Sequence, residues 1–259
     1  MAKKGILIID FDGVICDSIN ECFLVAYNAY SSLKDGVMAQ KWRFNFDGPL
    51  SLKRHFFLNR HLVRPAKEYF ILFKAFDDSG NNQISEKKFK YLANKYKNES
   101  LAFGKEFYKT RERFRRKYPK KWLRLHKIYP GIAEGIRSLS KTFKIYVSTT
   151  KDRGSVKALF LQNRIKIADR FIYTKERGLS KSETVKIICV KNGRRPEDVW
   201  FIDDNITYLD ELLKLNINCC LAKWGYISKD SVAMARKKKY KNFAGFNAFV
   251  QYLKGRKES

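Results

Sequence analysis

Ile6-Leu7-Ile8-Ile9 runs without a polar break into Asp10-Phe11-Asp12-Gly13, and this junction constrains the chain more than any other stretch. Four consecutive apolar residues with polar flanks read as a short buried strand. Two carboxylates at i and i+2 on its extended end project to the same side. Held together in partly dry surroundings they repel, at a cost that a cation or a shared proton offsets. The competing reading makes Asp-Phe-Asp-Gly a polar turn closing a hairpin. It ranks lower because the following residues, Val14 to Tyr30, read as a helix and not as a returning strand.

Size and composition bound what such a junction can serve. The chain has 259 residues, 44% of them hydrophobic, enough for a large core, as one domain or as a core domain plus a smaller one. No apolar run reaches the length of a membrane span, and the first apolar stretch carries Asp10, which argues against a secretory signal. Cys16, Cys22, Cys189, Cys219 and Cys220 form an odd set without CxxC spacing; they fit buried thiols in a reducing cytoplasm. With 54 Lys and Arg against 26 Asp and Glu, the net charge is +28, which favours anionic partners: a substrate phosphate, a polyanion or nucleic acid. The alternative is solvated charge that binds nothing.

Residues 18–128 interrupt the strand pattern. Helical spacing predicts Asn20–Leu33, Leu50–Asn59, Ala66–Phe76, Glu86–Tyr96 and Leu101–Lys117. Arg60 and Arg64, four apart, share a face if the helix reaches that far, and would then grip a second anionic group of a substrate; an ordinary basic surface is the plainer reading. Phe76 to Phe89 superficially resembles an EF-hand loop, with Asp77, Ser79 and Asn81 first. It fails where Asn82 replaces the turn glycine and Lys88 the bidentate glutamate, so the reading is a polar loop with a helix capped near Ser85. Lys105 to Lys127 carries eleven basic residues against two acids, interleaved with Phe107, Tyr108, Phe114, Tyr118 and Trp122. Such a stretch can bind single-stranded nucleic acid. More often its aromatics face inward and its lysines face water.

From Tyr129 strands and helices alternate, which predicts a parallel sheet with right-handed crossovers. Strand Phe143–Val147 ends in Ser148-Thr149-Thr150-Lys151, small hydroxyls at the strand end where open α/β sheets bind ligands. Thr149 as a helix cap is the alternative. Strand Arg170–Tyr173 follows helix Gly154–Asn163, and a loop then leads to Lys181 and helix Ser182–Asn192. Val199-Trp200-Phe201-Ile202 is a second apolar strand running into paired acids, Asp203-Asp204. Those acids suit either a divalent cation or a helix N-terminus.

In order, these stretches resemble the four motifs of the haloacid dehalogenase superfamily of phosphohydrolases. Asp10-Phe11-Asp12-Gly13-Val14 resembles the first, DxDx[TV]. The strand ending at Thr149, with Thr150 and Ser148 beside it, resembles the second. Lys181 ahead of its helix resembles the third, although Ser182 stands where the family usually has proline and Lys175 competes. Asp203-Asp204 resembles the fourth, and Trp224-Gly225-Tyr226 is similar to phosphoglycolate-phosphatase-like members. The resemblance implies an α/β fold: a Rossmann-like parallel-sheet core with helices on both faces, residues 1–17 and 129–259, and an inserted type 1 helical cap domain, 18–128. It implies a magnesium-dependent phosphatase acting on a small phosphorylated metabolite through an aspartyl-phosphate. Asp10 is then the nucleophile and Asp12 the general acid and base. Asp10, Asp203, Asp204 and the Asp12 carbonyl would hold Mg2+, and Thr149, Thr150 and Lys181 would hold the phosphate. Asp12 separates this chain from the family's dehalogenases, which lack an acid there because halide leaves without a proton. Phosphonate cleavage would need a Schiff-base lysine in the cap. A phosphatase of nucleic-acid ends, and a polyanion-binding protein with the fold but little catalysis, remain as rivals.

Overall fold

The computed structural model describes residues 5–34, 44, 46–80, 83–238 and 240–256. The chain divides into two compact units, Met1–Asp17 with Lys127–Ser259, and Ser18–His126.

The first unit is built on β1 (Gly5–Ile9), β2 (Cys16–Asp17), β3 (Lys127–Ile128), β4 (Phe143–Ser148), β5 (Ile172–Tyr173), β6 (Val199–Asp203), β7 (Asn218–Ala222) and β8 (Lys241–Phe243). Among the described residues six of these form one sheet in the order β5-β4-β1-β6-β7-β8, with every pairing parallel. Its central strands are apolar throughout because both faces are covered: Ile6 to Ile9 and Val199 to Ile202 are all buried. Alternation divides them, and Ile6, Ile8, Val199 and Phe201 pack on one face with Val185, Ile188, Leu209 and Leu212. The chain leaves β1 toward β4 and β5, then returns to β6 on the other side of β1. Such a reversal opens a crevice at the carboxyl ends of the strands, where ligands bind.

The second unit holds α1 (Ile19–Lys34), α2 (Leu50–Asn59), α3 (Tyr69–Ser79), α4 (Glu86–Lys95), α5 (Lys97–Lys117) and α6 (Pro119–Leu123). Its interior is aromatic, with Phe56, Phe73, Phe103 and Phe107 fully buried. A buried ion pair lies inside it: Arg111 donates to Glu21 through Nε (2.8 Å) and Nη2 (3.0 Å), and Trp122 Nε1 donates to the same carboxylate at 3.2 Å. In the basic stretch the largest aromatics face inward and most of the charge faces outward. Phe107, Phe114 and Trp122 are buried, while Lys105, Lys109, Arg113, Arg116, Lys117, Lys120, Lys121 and Arg124 are exposed.

Several expectations need correction. Val14 to Tyr30 is not one helix: the Phe11 carbonyl accepts from the Val14, Ile15 and Cys16 amides, Gly13 turns at φ +89°, and β2 intervenes before α1. Among the described residues β1 nevertheless pairs only in parallel, so Asp10 to Gly13 closes no hairpin with it. Arg60 and Arg64 share no helix face, because α2 ends at Asn59 and a 3-10 turn, Arg60–Leu62, follows. Arg60 is buried, donating Nη1 to the Val63 carbonyl at 2.9 Å with its guanidinium over Tyr69; the Arg64 amide donates to Glu68. Strand Arg170–Tyr173 shortens to β5 because Asp169–Phe171 winds as a 3-10 turn. Asn81 and Asn82 of the EF-hand-like loop lie outside the described residues, and the helix after it is capped by Ser85, whose side chain accepts from the Lys88 amide.

The remaining helices cover the sheet: α7 (Ile132–Leu139), α8 (Arg153–Gln162), α9 (Lys181–Asn192), α10 (Ile206–Leu213), α11 (Lys229–Lys237) and α12 (Phe246–Gly255). α7 and α12 pack closely because Gly135 has no side chain; a Cβ there would lie 2.6 Å from the Phe246 ring.

Candidate active site

Three adjacent strands of one unit deliver the site. Asp10 and Asp12 follow β1, Thr149 and Thr150 follow β4, and Asp203 ends β6 with Asp204 next to it. Lys181 arrives from elsewhere, as the first residue of α9. That helix starts there because Ser180 and Glu183 form a capping box, each side chain accepting from the other's backbone amide.

Asp10, Asp203 and Asp204 are buried, and each offers a carboxylate oxygen within 4.8 Å of the others. Lys181 Nζ lies between two of them, 2.8 Å from Asp10 Oδ1 and hydrogen-bonded to Asp203 Oδ2. Burial pushes the Asp10 carboxyl up to about 7; Lys181 opposes that shift and the Asp203 charge adds to it. Burial also works against the Lys181 charge, but Asp10 and Asp203 outweigh it and hold the ammonium protonated above its ordinary range. Three carboxylates against one ammonium leave an excess of negative charge. An all-oxygen set of this kind fits a hard divalent cation such as magnesium.

The capping of the two neighbouring helices falls to other residues. The N-cap of α10 is Asn205, whose side chain accepts from the Thr207 and Tyr208 amides; Asp203 Oδ1 accepts from the Asn205 amide at 2.9 Å, so Asp203 meets the helix start without capping it. The N-cap of α8 is Asp152, so Thr149 is not a helix cap either; its hydroxyl accepts from the Lys151 amide at 3.1 Å. Thr149 is buried and Thr150 half-buried. Lys175 lies exposed in a 3-10 turn, whereas Lys181 is buried among the carboxylates.

Two features escaped the sequence reading. Lys151 is fully buried and donates Nζ to Asp12 Oδ1 at 3.0 Å, so the second acid of the first motif has its own cation. Among 54 basic residues one more lysine carries no contrast; only its place two residues after Thr149 marks it. Gly13 is the second. A Cβ there would stand 2.0 Å from Asp204 Oδ2, so the first and fourth acidic loops can meet only at a residue without a side chain.

Residues 69–222, more than half of the chain, match the haloacid dehalogenase-like hydrolases. The chain belongs to that family. Asp10 and Asp12 lie outside the matched span of this haloacid dehalogenase-like hydrolase, and their place in the site rests on the geometry above. No curated protein matches the chain. Among solved structures, it is similar to a predicted phosphoglycolate phosphatase from Haemophilus somnus 129pt (15% identity, 98% of this chain and 99% of that one, TM-score 0.61). It is also similar to a predicted phosphatase from Clostridium acetobutylicum (16% identity, 97% and 99%, TM-score 0.58). A third is the β-phosphoglucomutase of Clostridium difficile (15% identity, 94% and 92%, TM-score 0.54). At these identities the likeness speaks for the Rossmann-like α/β fold.

Proposed function

We propose that this family member is a phosphatase that hydrolyses a small phosphomonoester through an aspartyl-phosphate on Asp10. The observation that supports this most is that Asp10, Asp12, Thr149, Asp203 and Asp204 lie at the carboxyl ends of adjacent strands within one unit, with Lys181 of α9 bound to Asp10 and Asp203. A carboxylate oxygen of Asp10 attacks phosphorus as the ester P–O bond breaks. Asp12 gives its proton to the leaving oxygen, then takes one from the water that attacks the acyl phosphate; inorganic phosphate leaves and both acids are restored. Lys181 and the Thr149 hydroxyl, with Thr150 beside it, hold the phosphoryl oxygens where transition-state charge spreads. Asp10, Asp203 and Asp204, with the Asp12 carbonyl, would hold magnesium, which would neutralise phosphate charge and align the reacting groups. The helical unit, 18–126, is proposed as a cap that selects the substrate. Arg60 and Arg64 are not carried forward as substrate ligands, since Arg60 is engaged by Val63 and Tyr69. The proposed compartment is the cytoplasm, where the buried free cysteines stay reduced.

A second reading keeps the chemistry and changes the substrate to a phosphorylated nucleic-acid end; the exposed basic residues from Lys105 to Arg124 favour it.

The test is turnover of an aryl phosphate, phosphorylated metabolites and a phosphorylated oligonucleotide, with and without magnesium. The proposal expects magnesium-dependent release of phosphate that Asp10→Asn abolishes while the variant stays folded. Undiminished hydrolysis by Asp10→Asn removes Asp10 from its role. Preferred turnover of the oligonucleotide, with binding that weakens steeply as salt rises, favours the second reading.

A further inference from the structure

The segment after β7 touches both acidic loops of the site, and nothing in the chemistry above uses it. The Tyr226 amide donates to Asp204 Oδ2 at 2.6 Å, and the Tyr226 hydroxyl donates to Asp17 Oδ1 at 2.9 Å. Trp224 Nε1 donates to the carbonyl of Val14, the last residue of the first motif, at 3.1 Å. Between them Gly225 lies so close that a Cβ would fall 2.3 Å from the Gly13 carbonyl oxygen and 2.5 Å from Asp204 Cβ. The approach is reciprocal, because a Cβ on Gly13 would meet both Asp204 and the Tyr226 ring.

We infer that Trp224-Gly225-Tyr226 is a positioning clasp that locks the loop after β1 to the end of β6, and so sets the direction in which Asp204 presents its carboxylate. The inference rests on the proposed role of Asp204 as a magnesium ligand. Its physical basis is that a ligand carboxylate with one oxygen held by a backbone amide has fewer orientations to lose when it binds a cation. Trp224 and Tyr226 anchor the segment on opposite sides of Gly225, at Val14 and at Asp17. The amide of Tyr226 is thereby held still by its own side chain. None of these residues needs to touch the substrate, so they are positioning residues and not catalytic ones.

Gly225→Ala is the direct test, because the added methyl meets backbone oxygen on one side and Asp204 on the other. Gly245→Ala is the control, since nothing lies within 4 Å of its Cβ position. Magnesium affinity is measured by calorimetry on the full chain, beside kcat and KM for an aryl phosphate. The clasp predicts that Gly225→Ala binds magnesium ~10-fold or more weakly, the size found when partners of metal ligands are lost. It also predicts a lower kcat that excess magnesium partly restores, a little-changed KM, and a control like wild type. Should Gly225→Ala not fold, Tyr226→Phe keeps the amide and removes one anchor, and it is expected to weaken magnesium binding ~3–10-fold, the worth of one net hydrogen bond. Wild-type magnesium affinity in both folded variants, or in Tyr226→Phe alone where Gly225→Ala fails to fold, overturns the clasp and leaves the phosphatase reading standing. A wild-type chain that neither binds magnesium nor hydrolyses phosphate esters overturns both.

Discussion

Lys151 and Asp12 form the pair in which a single side-chain change reports most on the chemistry. The ammonium is fully buried against the carboxylate proposed to move protons, so it fixes where that carboxylate points. Lys151→Met should lower kcat for an aryl phosphate ~100-fold, the scale of a misplaced general acid, with KM changed little. A kcat equal to wild type across the pH range would remove Lys151 from the proton-transfer step. At this scale the acids were legible in the sequence for a physical reason: charge at the end of an apolar strand is costly without a purpose, and Asp10, Asp203 and Asp204 are buried where that argument puts them. Lys151 and Gly13 were not legible. A lysine signals nothing in so basic a chain, and a glycine after two acids reads as a turn until the opposing Asp204 is seen.

The start of α9 decides where Lys181 stands. Its capping box satisfies orphan amides with Ser180 and Glu183 and fixes the first helical turn, which carries Lys181. Ser180→Ala should cost about 1 kcal/mol of stability, read as a lower denaturation midpoint at constant m-value. An unchanged midpoint would mean that the box does not set this helix boundary. Long, periodic elements were readable: α2 begins and ends as its spacing predicts, and β1, β4 and β6 differ from expectation by one residue at most. The short ones were not. Lys241-Asn242-Phe243 has too little apolar pattern to announce β8, and the two-residue β2 and β3 are held by their mutual pairing, not by local preference. Pro65 and Pro196 each precede or open a 3-10 turn that periodicity reads as helix or loop.

Across the whole molecule, the parallel pairing of the sheet follows from alternating strands and helices, though its strand order does not, and the aromatic helical unit follows from three- and four-residue spacing. The charge of +28 does not follow from either, and most of its basic stretch lies in solvent around buried aromatics. Arg111, buried within it, was invisible in the sequence because its partner Glu21 is 90 residues away. No helix among the described residues is long and apolar enough to cross a membrane. What unites the account is one covalent step at one carboxylate, served by side chains from β1, β4, β6 and α9. The direct measurement is mass spectrometry of the enzyme quenched in acid during turnover of a phosphomonoester with magnesium. The account predicts one added phosphoryl group on the peptide that contains Asp10, lost on dilution into fresh buffer and absent from Asp10→Asn. Steady turnover with the phosphoryl group on another residue, or with wild-type rates in Asp10→Asn, would contradict it.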